Sequence, residues 1–467
     1  MKKVSFIILM DNLILSLLLC LMPFVLEAQS VSQKIQKAYE QFEKDPQLIH
    51  AISSLYVIDA KNGLLVFDKN SQIGLAPAST QKVITSVTAF ELLGKDYQYK
   101  TTMNFEGEIK NEILHGNIIF HGSGDPTLGS WRWDFANEEK LMERFIFAIK
   151  EMGIKKINGS IILNTDKWEN QTEPDGWIWQ DMGNYYGAGS SGFNWRENQF
   201  DIFLKSGNKI SDPVEIVGTK PGVMYHLKLS SELSSAAAGT GDNAYVYLLP
   251  SVIRGTIPVN EKKFTISAFM INAKNEFIST LENSLATNGI IVEHQVLKIA
   301  NANRQVIYTV LSPILDSVIY WFNKKSINLY GEALLKTMAF EKTGYGSYSK
   351  AIELVQKFWQ KRGIEKTALN IYDGSGLSPM NRVTTHAQVD VLNYAKKQAW
   401  FSSLISSFPE YNGIKMKSGS IRNVKGYTGY HIAKDGNEYI FSFLVNNYNG
   451  SSSSLVQKMF QVIDNLK

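Results

Sequence analysis

The chain has 467 residues, of which 44% are apolar, 12% aromatic and 20% charged, which excludes a disordered, collagen-like or coiled-coil protein and leaves room for more than one domain. Lys and Arg number 48 against 44 Asp and Glu, a formal charge of +4 that is too small a surplus for a nucleic-acid binder of this size.

Residues 1–28 read as an export signal. Lys2 and Lys3 supply the positive start, Leu13 to Leu26 is almost wholly apolar with Pro23 near its end, and Ala28 places a small residue before a cut ahead of Gln29. The stretch is too short and broken to span a membrane. The only cysteine, Cys20, follows bulky Leu19, which argues against lipid attachment there, and cleavage leaves a mature chain without thiol or disulfide chemistry. No later run approaches 18 apolar residues, so the expectation is an exported, periplasmic protein with no membrane span.

Val31 to Phe42 is a charged helical lead-in, and Ser54 to Asp68 holds two apolar runs around Asn62-Gly63, a hairpin signal. After Pro77, the segment Ala78 to Leu93 repeats Val83, Ile84, Val87 and Phe90 at helical spacing, so Ser79 falls in a first turn. Strand-like runs at Asn117–His121 and Gly159–Leu163 flank a helix from Glu138 to Met152. Short apolar patches between turns make residues 201–275 mainly β. Helical patterns return from Leu311 to Phe340 and from Ser349 to Trp359. Three strand-like runs follow, Gly413–Ser420, Lys425–Ile432 and Glu438–Asn446, and a closing helix runs from Ser452 to Lys467. The pattern predicts an α/β (α+β) fold in which the early hairpin joins the late strands in one antiparallel sheet covered by helices. The predicted units are 29–97 with 306–467, an inserted domain of 98–200 with 276–305, and a second β-rich insertion of 201–275.

The seven histidines, at 50, 115, 121, 226, 294, 386 and 431, lack metal-ligand spacing, and no cofactor is implied. Gly122-Ser-Gly-Asp-Pro126 is not followed by a helix-opening lysine, so it is not a phosphate loop. What remains is serine chemistry with lysine as base. Serine with lysine three residues on occurs at Ser79/Lys82, Ser206/Lys209 and Ser347/Lys350, and only the first pair shares a rigid helix face. Serine then asparagine occurs at Ser326/Asn328 and at Ser206/Asn208, the latter a turn. Ser326 alone reads as a helix N-cap. Lys342-Thr343-Gly344 ends a helix, its glycine a C-cap. Lys417-Ser418-Gly419 lies instead on a strand, where glycine lets a ligand backbone approach.

Ser79-Thr-Gln-Lys82, Ser326-Ile-Asn328 and Lys417-Ser-Gly419, in this order, resemble the active-site triplet of penicillin-binding proteins and serine β-lactamases. The long span between the first two motifs is similar to the low-molecular-mass class C penicillin-binding proteins, the D-alanyl-D-alanine carboxypeptidase/endopeptidase family. Gly183-Asn-Tyr-Tyr-Gly187, Asn323-Lys-Lys-Ser326 and Asp373-Gly-Ser-Gly-Leu-Ser378 extend the likeness. The resemblance implies a penicillin-binding transpeptidase-like fold, peptidoglycan stem peptides and β-lactams as ligands, and an acyl-enzyme on Ser79 with Lys82 as base. It also implies a proton relay through Ser326, and Asn328 orienting the base and holding a substrate amide. Lys417 with the Ser418 hydroxyl would receive the substrate carboxylate, and the backbone N–H groups of Ser79 and Ser420 would form an oxyanion hole beside Gly419. Asp166 matches an aspartate that in relatives meets a diamino acid. Pro379 replaces a family arginine, for which Arg382 or Arg422 are substitutes. Trp177, Trp179, Tyr185 and Tyr186 read as packing of the insertion more than as a glycan-binding face. The rival functions are a β-lactamase or esterase on the same triplet, distinguished by fast deacylation, and a non-catalytic wall-binding protein.

Overall fold

The computed structural model describes residues 30–222, 228–295 and 304–467; the expected export signal with Cys20, and His226, lie outside the described residues. The central sheet has six antiparallel strands in the order Glu410–Tyr411, Ile414–Ile421, Val424–Ile432, Glu438–Asn446, Ile52–Asp59 and Leu65–Lys69. The early hairpin thus joins the late strands, as the alternation of apolar residues predicts. Ile52 pairs with Asn446 and Asp59 with Tyr439. Two-residue alternation sends Ile58, Tyr430 and Ile440 to one face and Val57, Phe441 and Phe443 to the other.

Both faces are covered. The helices Val31–Glu43 and Ser452–Ile463 close the second face with Ile35, Tyr39, Leu455 and Met459. The first face packs on Lys82–Leu93, Asn328–Thr343 and Thr385–Lys396. The helix Lys82–Leu93 is buried on every side from Lys82 to Phe90, because it runs between the sheet and the outer helices. A helix so enclosed leaves a polar side chain no route to water, and that decides the state of Lys82 below.

The insertion has its own core, built on Phe120, Phe145, Trp195 and Phe277. Its main sheet contains Lys100–Lys110, Ile113–His121 and Arg304–Leu311, and two three-stranded sheets stand beyond it. The strand Arg304–Leu311 pairs with Lys100–Lys110, so the expected return to the first unit at 306 falls inside a strand of the insertion. Leu311 accordingly ends a strand, and the helical run predicted from it divides into Leu315–Lys324 and Asn328–Thr343. The helix Ala273–Thr287 was not expected. Among the described residues no helix is long and apolar enough to cross a membrane.

Candidate active site

Ser79 sits in a 3-10 turn, Ala78–Gln81, that runs straight into the helix Lys82–Leu93. Ala78 has φ of +46°, a strained backbone for a residue with a Cβ, and it turns the chain so that Ser79 faces a cleft. One helical step later the Lys82 ammonium group is fully buried. Its Nζ lies 3.0 Å from Ser79 Oγ, 2.6 Å from Asn328 Oδ1 and 2.8 Å from the Ser375 carbonyl oxygen. Burial pulls its pKa down from the usual lysine range to about 7, against the opposing pull of Asp373 and Glu332. A neutral amine has two N–H bonds and one lone pair. Asn328 Oδ1 and the Ser375 carbonyl can only accept, so they take the two hydrogens and turn the lone pair toward the Ser79 hydroxyl.

Asn328 opens the helix Asn328–Thr343 and also donates from Nδ2 to the Tyr186 carbonyl of the insertion at 2.7 Å. Ser326 is not an N-cap; its φ is +57°, and its Oγ accepts from Lys417 Nζ at 3.0 Å. Lys417 is buried on the strand Ile414–Ile421 and also reaches the Ser418 carbonyl at 2.9 Å. Burial first, then Lys82 and Lys425, holds the Lys417 pKa well below the usual lysine range. Gly419 lies where this strand crosses the Ser79 turn. A Cβ there would meet Pro77 O at 2.7 Å, Thr80 N at 2.8 Å and Ser79 N at 2.9 Å. The strand can approach the Ser79 amide only because residue 419 has no side chain.

The loop Asp373–Ser378 carries positioning groups that sequence reasoning quoted without assigning them a role. Asp373 accepts from the amides of Gly376 (2.8 Å) and Ser378 (2.6 Å), from Asn381 Nδ2 (2.9 Å) and from the indole of Trp177 (2.9 Å). Glu332 is buried one turn beyond Asn328 and accepts from the amides of Gly374 and Ser375, each at 3.0 Å. The only signal was a charge in the otherwise buried run from Leu329 to Leu335. Asn323 ties Ser86 to Ser407 at 3.0 Å each.

Ser79, Ser326, Asn328, Ser420 and Arg422 line one cleft of about 890 Å³. Arg422 lines it from an exposed position, whereas Arg382 turns its guanidinium to the carbonyls of Pro379 and Asn381 and does not reach it. Asp166 borders a depression that His121 and Lys167 also line and pairs with Asn164. The Ser418 hydroxyl lies 3.1 Å from the Tyr411 hydroxyl. The rings divide: Trp177 is buried, Tyr185 lines the cleft at 53% exposure, and Trp179, 49% exposed, packs on Tyr247. Among the described residues no group of three or more His, Cys, Asp or Glu could hold a metal ion.

Residues 35–410 match the family model described as D-Ala-D-Ala carboxypeptidase 3 (S13) family; the match ends before Lys417. The chain is 26% identical over 411 residues to the D-alanyl-D-alanine carboxypeptidase DacB of Haemophilus influenzae, covering 82% of this chain and 83% of that protein. It is 23% identical over 455 residues to a D-alanyl-D-alanine carboxypeptidase of Actinomadura sp., covering 90% and 82%. The crystal structure of penicillin binding protein 4 (dacB) from Haemophilus influenzae has the same fold, with a TM-score of 0.76 at 22% identity over 92% of this chain and 98% of that one. With the family model spanning most of its length and a serine beside a buried lysine in its cleft, the chain belongs to the D-Ala-D-Ala carboxypeptidase 3 (S13) family of serine-type peptidases.

Proposed function

We propose that this D-Ala-D-Ala carboxypeptidase acts on peptidoglycan stem peptides through an acyl-enzyme on Ser79, and that penicillin acylates the same oxygen. The observation that carries the reading is Lys82 Nζ, buried and 3.0 Å from Ser79 Oγ with a pKa of about 7. Lys82 takes the Ser79 proton as Oγ attacks the carbonyl of the penultimate D-alanine; general base catalysis of this kind contributes about 10² to 10⁴-fold. The backbone N–H groups of Ser79 and Ser420 receive the oxyanion, each donor worth about 10² to 10³-fold. Ser326, within reach of Lys417, relays to the leaving D-alanine amine the proton that Lys82 took from Ser79. The C–N bond breaks, and water then hydrolyses the ester to free Ser79. Lys417 faces the substrate carboxylate, whose charge favours the protonated form that burial disfavours. Arg422 is the better substitute for the arginine replaced by Pro379, since it lines the cleft.

The same steps cleave a D-alanyl cross-link, giving D,D-endopeptidase activity; this half rests on the motif resemblance. The enzyme works in the periplasm after export. Residues 29–97 and 312–467 form the catalytic unit, a division supported by strand Arg304–Leu311 pairing within the insertion. The insertion comprises 98–200, 201–275 and 276–311.

The test is labelling with a fluorescent penicillin, beside Ser79→Ala. A stable label on the parent alone is the expected result. Rapid loss of label with β-lactam hydrolysis favours the β-lactamase reading. Equal labelling of both proteins, or of neither, overturns the assignment of Ser79.

A further inference from the structure

We propose that Glu332 is a positioning residue for the base: by holding the Gly374 and Ser375 amides with its two carboxylate oxygens, it keeps the Ser375 carbonyl on Lys82 Nζ. The inference rests on the acyl-enzyme reading and extends it to a group that touches neither substrate nor Ser79.

The argument begins with what aims the amine. Of the three partners of Lys82, Asn328 is held by the insertion through Tyr186, and Ser79 is the reacting group. The third is a backbone carbonyl in a loop, Gly374-Ser375-Gly376, with glycine on both sides and therefore little stiffness of its own. Two carboxylates hold it: Asp373, within the loop, takes the Gly376 amide at 2.8 Å, and Glu332, from a rigid helix, takes the Gly374 and Ser375 amides with one oxygen on each at 3.0 Å. The contact is close: a Cβ on Gly374 would lie 2.2 Å from the Gly331 carbonyl, and one on Gly331 would lie 3.0 Å from the Gly374 backbone. The helix therefore seats directly on the loop.

Position on the helix supports the same role. Asn328, Glu332, Lys336 and Phe340 recur every four residues and form one stripe. Asn328 meets Lys82, Glu332 meets the loop, Lys336 donates to the Ser190 carbonyl at 2.8 Å, and Phe340 stacks on Trp168 at 4.9 Å. A single helix face thus indexes the base against both the loop and the insertion. Burial and Asp373 push its pKa up to about 8, while the two amides and Lys82 oppose the rise. The role therefore rests on the two oxygens that hold the amides and not on a charge set against Lys82.

The experiment measures kcat and KM for D-alanine release from a diacetyl-lysyl-D-alanyl-D-alanine peptide between about pH 5 and 9. Parent, Glu332→Gln and Glu332→Asp are compared, with folding checked by circular dichroism. For Glu332→Gln, in which an NH₂ must face one of the amides, kcat falls about 10 to 100-fold with KM little changed, as misplacement of a catalytic group predicts. Glu332→Asp keeps the carboxyl but is one methylene short of both amides, so kcat falls there too with KM little changed. Parent-like kcat in either variant overturns the proposal. A fall in Glu332→Gln that is shared by KM also overturns it, leaving only a structural role. If Glu332→Gln does not fold, Glu332→Asp decides: a loss confined to kcat supports the proposal, and a loss shared by KM overturns it. Penicillin labelling of the parent but not of Ser79→Ala, run alongside, separates failure of this proposal from failure of the acyl-enzyme reading.

Discussion

Replacing Gly419 by alanine tests how closely the strand Ile414–Ile421 must seat on the Ser79 turn. The added Cβ would lie 2.7, 2.8 and 2.9 Å from Pro77 O, Thr80 N and Ser79 N, all backbone atoms that cannot rotate aside. Ordinary contact begins near 3.4 Å, so strand and turn must separate by roughly half an ångström, at a cost of about 1 to 3 kcal/mol for an overpacked site. The same separation moves Ser420 and Lys417 away from Ser79. Since a displacement of about 1 Å can cost 10²-fold, half of it should slow acylation about tenfold. The assay is the second-order rate of labelling by a fluorescent penicillin, with thermal melting measured in parallel. Gly218→Ala serves as a control, because the nearest neighbour of a Cβ there is a side-chain carbon at 3.5 Å. A Gly419→Ala protein that acylates at the parent rate and melts at the parent temperature would refute the reasoning.

Lys82→Met should lower kcat about 10² to 10⁴-fold, measured by D-alanine release. The pKa of Lys82 is depressed to about 7, so the neutral base predominates above that pH, and the acylation rate should rise through it and fall about tenfold per unit well below it. A rate flat across neutrality would exclude Lys82 as the base. Trp177→Phe removes the indole bond to Asp373, and denaturant unfolding should show a loss of about 1 to 3 kcal/mol. Arg422→Ala should raise KM for a D-Ala-D-Ala peptide with kcat little changed, while Arg382→Ala, whose guanidinium is engaged with the carbonyls of Pro379 and Asn381, should match the parent.

Ser79 and Lys82 were legible because their spacing and the apolar repeat after them both encode one helical turn. Lys417 was legible against Lys342 because a strand pattern surrounds it. Gly344, with φ of +78°, does cap its helix. Ser326 shows the limit of local reading: its residue type suits an N-cap, yet its positive φ and its bond to Lys417 are set by the packed strand opposite. Ser375 contributes a carbonyl, which every residue has, so no side-chain signature could mark it. The depression that Asp166 borders also takes in Phe340 and Glu341, distant from it in the chain, which local sequence does not encode. The helix Ala273–Thr287 buries Ala273, Phe277, Leu281 and Leu285 at four-residue spacing, but its Asn, Ser and Thr are weak helix formers and tertiary packing overrides them.

The central sheet joins the two ends of the chain, since Ile52–Asp59 is hydrogen-bonded between its own hairpin partner and Glu438–Asn446. A polypeptide made from its amino end presents Ser79 early, while Lys417 and the strands that seat it arrive among the final residues. The insertion can close on its own core in the interval, but the early hairpin must wait for its neighbour. The site is therefore completed only after Glu438–Asn446 has been made, and a chain interrupted before Glu438 carries Ser79 without the full sheet that seats Lys417.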